Sequence, residues 1–159
     1  MHWDQLHDDI LTIDRAWVAP YELGPPKWGK ERSIPLPKTV IDNLPEVNPE
    51  RTDLIFQQDN ARLGNTWWTK NFTAAVKKSG IKKDITAHCL RHSLNSHLFV
   101  SGVSPFLIQH YLGWSNSSSL TKTQIGYTHV MPEHLRQVAE AIDTIYSREE
   151  KVIEFRQKA

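Results

Sequence analysis

His88 and Arg91 stand three residues apart in the first turn of a predicted helix, a spacing that places both side chains on one helix face. Thr86 is suited to cap that helix, and the dipole of its N-terminal end adds positive potential. A guanidinium and an imidazole beside free helix amides match a phosphate diester better than a carboxylate or a metal ion. The pattern therefore predicts phosphoryl chemistry.

Other residues have to support this prediction, because an isolated His-x-x-Arg pair is frequent by chance on solvent-exposed helices. Three further features do so: Lys27 before a basic turn, Leu112-Gly113-Trp114 at the end of a helix, and Tyr127 followed by Thr128-His129-Val130. The combination is far more specific than the pair alone.

Together these motifs resemble the catalytic half of the tyrosine recombinases, the phage-integrase family. The stretch 26–36 resembles that family's β-hairpin, and the similarity runs from about Trp3 to about Val138. The resemblance implies an α+β fold, a mainly helical catalytic domain with a small antiparallel β-sheet near the N-terminus. We expect the domain to occupy residues 1–146 and a charged tail to occupy 147–159.

The resemblance also implies roles in the cleavage and rejoining of DNA. Tyr127 would attack a backbone phosphate and form a 3′-phosphotyrosyl link, without a metal or another cofactor. Arg91 would bind the non-bridging oxygens, and His88 would accept the tyrosine proton or bond to the phosphate. The hairpin lysine that protonates the leaving 5′ oxygen matches Lys27, with Lys30 as the alternative because the loop register is open.

Trp114 stands where the family most often has histidine and sometimes tryptophan. Its indole N–H can donate one hydrogen bond to a phosphoryl oxygen but cannot accept a proton. Tyr127 follows Trp114 by thirteen positions, about four more than the family's usual spacing. A structural role is favoured for His92, with a hydrogen bond near the site as the alternative.

The family pattern includes a further phosphate-binding arginine, in a Gly-Leu-Arg segment just before the point that corresponds to Trp3, and a core-binding domain before that. Arg15 lies in the strand and is no convincing replacement. Loss of one such phosphate-binding arginine lowers the rate of reaction roughly 10²–10³-fold. We therefore expect the isolated chain to be an impaired fragment, or a remnant, of an integrase.

Charge is unevenly distributed along a chain whose net charge is only +1. Residues 62–92 hold seven lysines and arginines against one aspartate, which predicts a footprint for the phosphate backbone of double-stranded DNA. The candidate DNA-binding residues are Lys30, Arg32, Lys70, Lys77, Lys78, Lys82, Lys83 and His92. In the family such domains assemble as homo-oligomers on the recombination site, as a tetramer in the full-length form.

The composition, 39% hydrophobic and 23% charged, is typical of a globular protein. The single cysteine, Cys89, excludes an internal disulfide framework and is expected to be small and buried. No apolar run reaches the ~20 residues of a membrane span, and no secretion signal is evident, which favours a cytoplasmic protein.

Periodicity predicts four main helices. They are a helix over 66–78 with Trp67, Phe72 and Val76 inward, a helix over 86–101 with a buried stripe of Leu90, Leu94 and Leu98, a helix from Ser104 ended by Gly113, and a helix after Pro132 with Leu135, Val138, Ala141, Ile142 and Ile145 inward.

Three rival functions belong to other classes. A DNA-binding protein without catalysis would use the helix pair 86–112 and the basic segment 62–92. A metal hydrolase is disfavoured, because no H-E-x-x-H pattern accompanies the eight histidines. Type IB topoisomerases share the tyrosine chemistry, but the hairpin and the Tyr-Thr-His segment resemble integrases more closely.

Overall fold

A computed structural model describes residues 1–19, 22–26, 31–44, 54–58, 61–114 and 130–147. Its described part combines helices with a small antiparallel sheet near the N-terminus, so the predicted α+β class is confirmed. The predictions for Lys27, Lys30 and Tyr127 lie outside the described residues. Among the helices described, none has the length and apolar composition that a bilayer crossing requires.

A 3₁₀ turn at Trp3–Gln5 precedes the first strand. The strands are β1 (Leu6–His7), β2 (Ile10–Ile13), β3 (Ala16–Ala19), β4 (Glu22–Gly24), β5 (Arg32–Pro35), β6 (Gln57–Gln58) and β7 (Ala61–Arg62). The helices are α1 (Lys38–Ile41), α2 (Asn65–Lys78), α3 (Ala87–Val100), α4 (Pro105–Leu112) and α5 (Pro132–Ser147).

The three-stranded sheet has the order β1-β2-β5, with both pairings antiparallel. Leu11 lies opposite Ile34, and both side chains are buried. Thr12 lies opposite Ser33, and their hydroxyl oxygens are 3.0 Å apart. Because side chains alternate across a strand, the apolar pair and the hydroxyl pair occupy opposite faces of the sheet.

The hydrophobic core joins the inner face of this sheet to α3, α4 and α5. Its buried members are Leu11, Ile34, Leu98, Val103, Ile108, Tyr111, Leu112, Leu135, Val138 and Ile142. The predicted stripe of α5 is confirmed, since Ala141 and Ile145 are also partly buried against this core. The sheet and the end of α4 are therefore fixed against each other by one continuous apolar cluster.

Three burial predictions for the middle of the chain are wrong. Cys89 is exposed, and its thiol lies 3.4 Å from the Thr86 hydroxyl, which lowers the pKa of the thiol. Leu90 is 53% exposed and Trp67 is 39% exposed, whereas Leu98 is fully buried and Leu94 only partly. Among the described residues, the core takes Leu94 and Leu98 from the C-terminal half of α3 and no residue from its N-terminal half.

Asp143 on α5 connects that helix to the start of α1. Its carboxylate accepts hydrogen bonds from the Lys38 and Thr39 backbone amides, at 2.8 and 2.9 Å, and from the Thr39 hydroxyl, at 2.7 Å. Desolvation disfavours the charged carboxylate, but these bonds, first those from Thr39, outweigh it and lower the pKa of Asp143. A side chain distant in sequence thus caps α1.

We expect Asp143→Ala to lower the free energy of unfolding by about 1–2 kcal/mol, since two helix amides lose their acceptor. Because the pKa of Asp143 is depressed in the folded state, its contribution to stability is fully present above its unfolded-state pKa of about 3.9. The contribution is lost as the pH falls through the folded-state pKa. Urea denaturation across acidic pH measures it, with Glu140→Gln on the same helix as control. A deficit that stays constant below pH ~3 would contradict the assignment.

Candidate functional site

Arg91 comes from the second turn of α3, and its guanidinium is held by the end of α4. Its Nη2 donates a hydrogen bond to the Leu112 carbonyl oxygen. That carbonyl belongs to the last turn of α4, where helix carbonyls lack intrahelical donors and attract cations. The contact uses one of the five guanidinium N–H donors and fixes the orientation of the others.

Gly113 ends α4 in the left-handed conformation, with φ at +69°. The Trp114 amide donates back to the Gln109 carbonyl at 3.0 Å, which closes the turn as in a Schellman cap. This turn fixes the position of Trp114 directly after the helix. The prediction that Gly113 ends the helix is confirmed.

Trp114 lies near two of the three predicted polar residues of α3, Arg91 and His92. Its ring centroid lies 6.0 Å from the Arg91 guanidinium carbon and 6.0 Å from the His92 ring. His92 in turn meets His88 edge to face, with ring centroids 4.4 Å apart, as their i, i+4 spacing on α3 allows. Four of the residues predicted from the sequence therefore form one partly exposed cluster.

Arg32 joins this cluster, although the sequence placed it only among general DNA contacts. Arg32 and Ile34 are two residues apart on β5, so both side chains lie on the face that packs against the core. A Cβ built at Gly113 would stand 2.5 Å from Arg32 Nη2 and 2.8 Å from Nη1. The guanidinium therefore fills the space that the missing side chain of Gly113 leaves open.

The pKa of Arg32 is lowered, first by burial and then by the charge of Arg91. Its Nε is buried and has no hydrogen-bond partner among the described residues. No carboxylate of the described residues forms a salt bridge with Arg32 or Arg91. The alternation of Arg32 with Ile34 was the signal in the sequence that could have revealed this placement.

The predicted basic residues of α2 and of the segment after it are exposed: Lys70, Lys77, Lys78, Lys82 and Lys83. A groove of about 640 Å³ runs along α2, and its lining includes Asn65, Thr66, Thr69, Lys70, Thr73 and Lys77. The spacing of these residues matches one face of a helix. In the part of the chain that the structure describes, no three histidines, cysteines or acids converge as a metal site would need.

Comparison with known proteins identifies the class of protein. The model of the Phage integrase family matches residues 1–134, so the chain belongs to that family. The resemblance inferred from the motifs is thereby confirmed.

Individual relatives are tyrosine recombinases. The chain is 36% identical to tyrosine recombinase XerA of Thermococcus kodakarensis over 140 residues, which are 85% of this chain and 47% of that protein. It is 37% identical to tyrosine recombinase XerD of Listeria monocytogenes over 123 residues, 70% of this chain and 40% of that protein. The chain thus spans less than half the length of these relatives. No solved structure matches it.

We expect Gly113→Ala to destabilise the fold more than Gly102→Ala. Both glycines have positive φ, +69° and +84°, so alanine costs about 1–2 kcal/mol of backbone strain at either position. At Gly113 the new Cβ would overlap the Arg32 side chain, whereas at Gly102 no described residue lies within 4 Å. Chemical denaturation of both variants measures the difference. Equal losses would mean that Arg32 does not occupy this space.

Proposed function

We propose that the chain is the catalytic domain of a site-specific DNA recombinase that cleaves DNA through a covalent bond to Tyr127. The observation that carries the proposal is the cluster at the end of α4. There Arg91, Trp114 and His88 from the family motifs come together, in a chain that belongs to the Phage integrase family.

In the proposed reaction the Tyr127 oxygen attacks a backbone phosphorus in line, and the bond from phosphorus to the 5′ oxygen breaks. His88 accepts the tyrosine proton, and Lys27, or Lys30 in the other register, gives a proton to the leaving 5′ oxygen. A 5′ hydroxyl from another strand then attacks the phosphotyrosyl phosphorus and releases the tyrosine. Because the intermediate retains the phosphoester bond, rejoining requires no nucleotide cofactor.

Arg91 is suited to stabilise the negative charge that develops on the non-bridging oxygens. Its bond to the Leu112 carbonyl holds the guanidinium before the substrate arrives, so little reorganisation is needed when charge builds up. Trp114, fixed by the turn at Gly113, would add one indole N–H donor. We assign His92 the role of orienting His88, which it contacts.

The biological setting that we propose is the integration or excision of a prophage or another mobile element. The partner is a double-stranded recombination site, on which the protein acts as a homo-oligomer. We place the catalytic domain in residues 1–146 and regard 147–159 as a charged tail outside it.

We expect Tyr127→Phe to abolish covalent capture of DNA while leaving DNA affinity unchanged, because only the attacking oxygen is removed. The DNA can be a random-sequence library of nicked duplexes, from which complexes that resist SDS are isolated and sequenced. Tyr146→Phe is the matched control, since Tyr146 is 50% exposed on α5. Tyr111 serves less well, because its buried hydroxyl donates to the Pro35 carbonyl at 2.8 Å.

Two outcomes would count against this assignment. Capture that survives in Tyr127→Phe would show that another group is the nucleophile. Salt-dependent DNA binding by the unmodified chain, with no adduct on any library member, would favour the second candidate function, DNA binding without catalysis.

The second candidate function has its own supporting observation, the groove along α2. Three threonines, Lys70 and Lys77 are among the residues that line it, and hydroxyl and ammonium groups both bind phosphate oxygens. In the recombinase this face would hold the duplex backbone beside the cleavage site. In a protein without catalysis it would be the principal DNA contact.

We expect Lys70→Ala with Lys77→Ala to reduce the salt dependence of DNA binding. Each lost phosphate contact lowers the slope of log affinity against log salt by about 0.9, so the pair should lower it by roughly 2. Fluorescence anisotropy with a random duplex at several salt concentrations gives the slope. Lys38→Ala is the control, since Lys38 is exposed on α1 and pairs with Asp42. An unchanged slope in the double variant would remove α2 from the interface.

A further inference from the structure

Two positively charged guanidiniums at the end of α4 have no acidic partner among the described residues. Arg91 bonds to the Leu112 carbonyl, and Arg32 lies against the next residue, Gly113. Because Leu112 and Gly113 are adjacent, the two guanidiniums lie near each other; burial first, and then the charge of Arg91, lowers the pKa of Arg32. Like charges held near each other destabilise the fold unless something offsets their repulsion.

The protein offsets this repulsion only in part. The C-terminal carbonyls of α4 supply partial negative charge, and one of them accepts from Arg91. No hydrogen bond from Arg32 to these carbonyls is found among the described residues, and its Nε is buried without a partner there. A half-buried arginine held beside a second arginine is a costly arrangement, and one that an anion bound to both would stabilise.

The position of Arg32 is also fixed by the fold. β5 carries Arg32 on the core face, two residues before buried Ile34, and Gly113 leaves the space that the guanidinium fills. An exposed surface lysine or arginine would be free to move away from a like charge. The backbone of β5 fixes the side of the sheet from which Arg32 projects, so its guanidinium stays on the core face, near Arg91.

We propose that Arg32 is a second phosphate-binding arginine, and that Arg32 and Arg91 together bind the non-bridging oxygens of one phosphodiester. The identification of the anion as a DNA phosphate rests on the proposed function; the anion site itself does not. Arg32 is then part of the cleavage site, and Gly113 is required so that its guanidinium can reach the anion.

Inorganic phosphate tests the site without any DNA chemistry. We expect phosphate to raise the Tm of the unmodified chain in a saturable manner. Arg32→Gln and Arg91→Gln should each weaken phosphate binding roughly 10–100-fold, the loss expected for one charge-assisted contact. Arg136→Gln is the charge-matched control, since Arg136 pairs with Asp9 away from this cluster. Circular dichroism establishes that each variant is folded.

A second pair of variants leaves both arginines in place. Gly113→Ala should weaken phosphate binding by displacing the Arg32 guanidinium. Gly102→Ala introduces similar backbone strain with no described residue within 4 Å and should leave phosphate binding unchanged. This pair keeps the test valid if Arg32→Gln fails to fold. Phosphate affinity that is unchanged in Arg32→Gln or in Gly113→Ala, or the absence of any phosphate effect on the unmodified chain, would overturn the proposal.

Covalent capture at saturating DNA separates this proposal from the proposed function. Arg32→Gln should slow capture about 10²–10³-fold, with a much smaller change in DNA Kd, because the contact strengthens as charge develops on the phosphate. An unchanged capture rate would refute a role for Arg32 in cleavage while the recombinase assignment stands. If neither the unmodified chain nor any variant captures DNA, but phosphate binding still requires Arg32, the anion site stands and the recombinase assignment fails.

Discussion

The left-handed turn at Gly113 is the constraint on which the rest of the cluster depends. It closes α4, presents the Leu112 carbonyl to Arg91, leaves room for the Arg32 guanidinium and sets Trp114 beside Arg91. A residue with a side chain at this position would be strained by the positive φ, and its Cβ would collide with Arg32. The Leu-Gly-Trp motif is therefore a geometric requirement of the site as much as a helix end.

The hydrophobic core gives this turn its fixed surroundings. Buried Leu112 and Leu98 hold α4 and α3 against α5, and buried Ile34 holds β5 against the same cluster. Each of the three chain segments that supply the cluster thus has a core residue within a few positions of its cluster residue. Ile34 follows Arg32, Leu94 and Leu98 follow Arg91, and Leu112 precedes Trp114. Packing places the charges, so a mutation in the core should alter the site as well as stability.

Much of this arrangement could be predicted from the sequence. The helices α2 to α5 followed from apolar periodicity and from glycine and proline signals, and the family resemblance followed from motifs at fixed spacing. Periodicity does not reveal which apolar positions are covered: it predicts Leu90 and Trp67 inside, and both are exposed. Cys89, expected to be buried because it is small, is exposed as well. The sequence does not predict that Arg32 and Arg91 lie near each other. Their proximity arises because β5 packs against the end of α4, and these two elements are far apart in the chain.

The central claim is that Arg32 and Arg91 form one anion site beside Gly113. The most direct measurement is an anomalous difference map from crystals of this chain soaked in tungstate, a tetrahedral oxyanion like phosphate. The account predicts a peak within hydrogen-bond distance of both guanidiniums. A peak bound by Arg91 alone, or peaks confined to the lysines of α2, would contradict it.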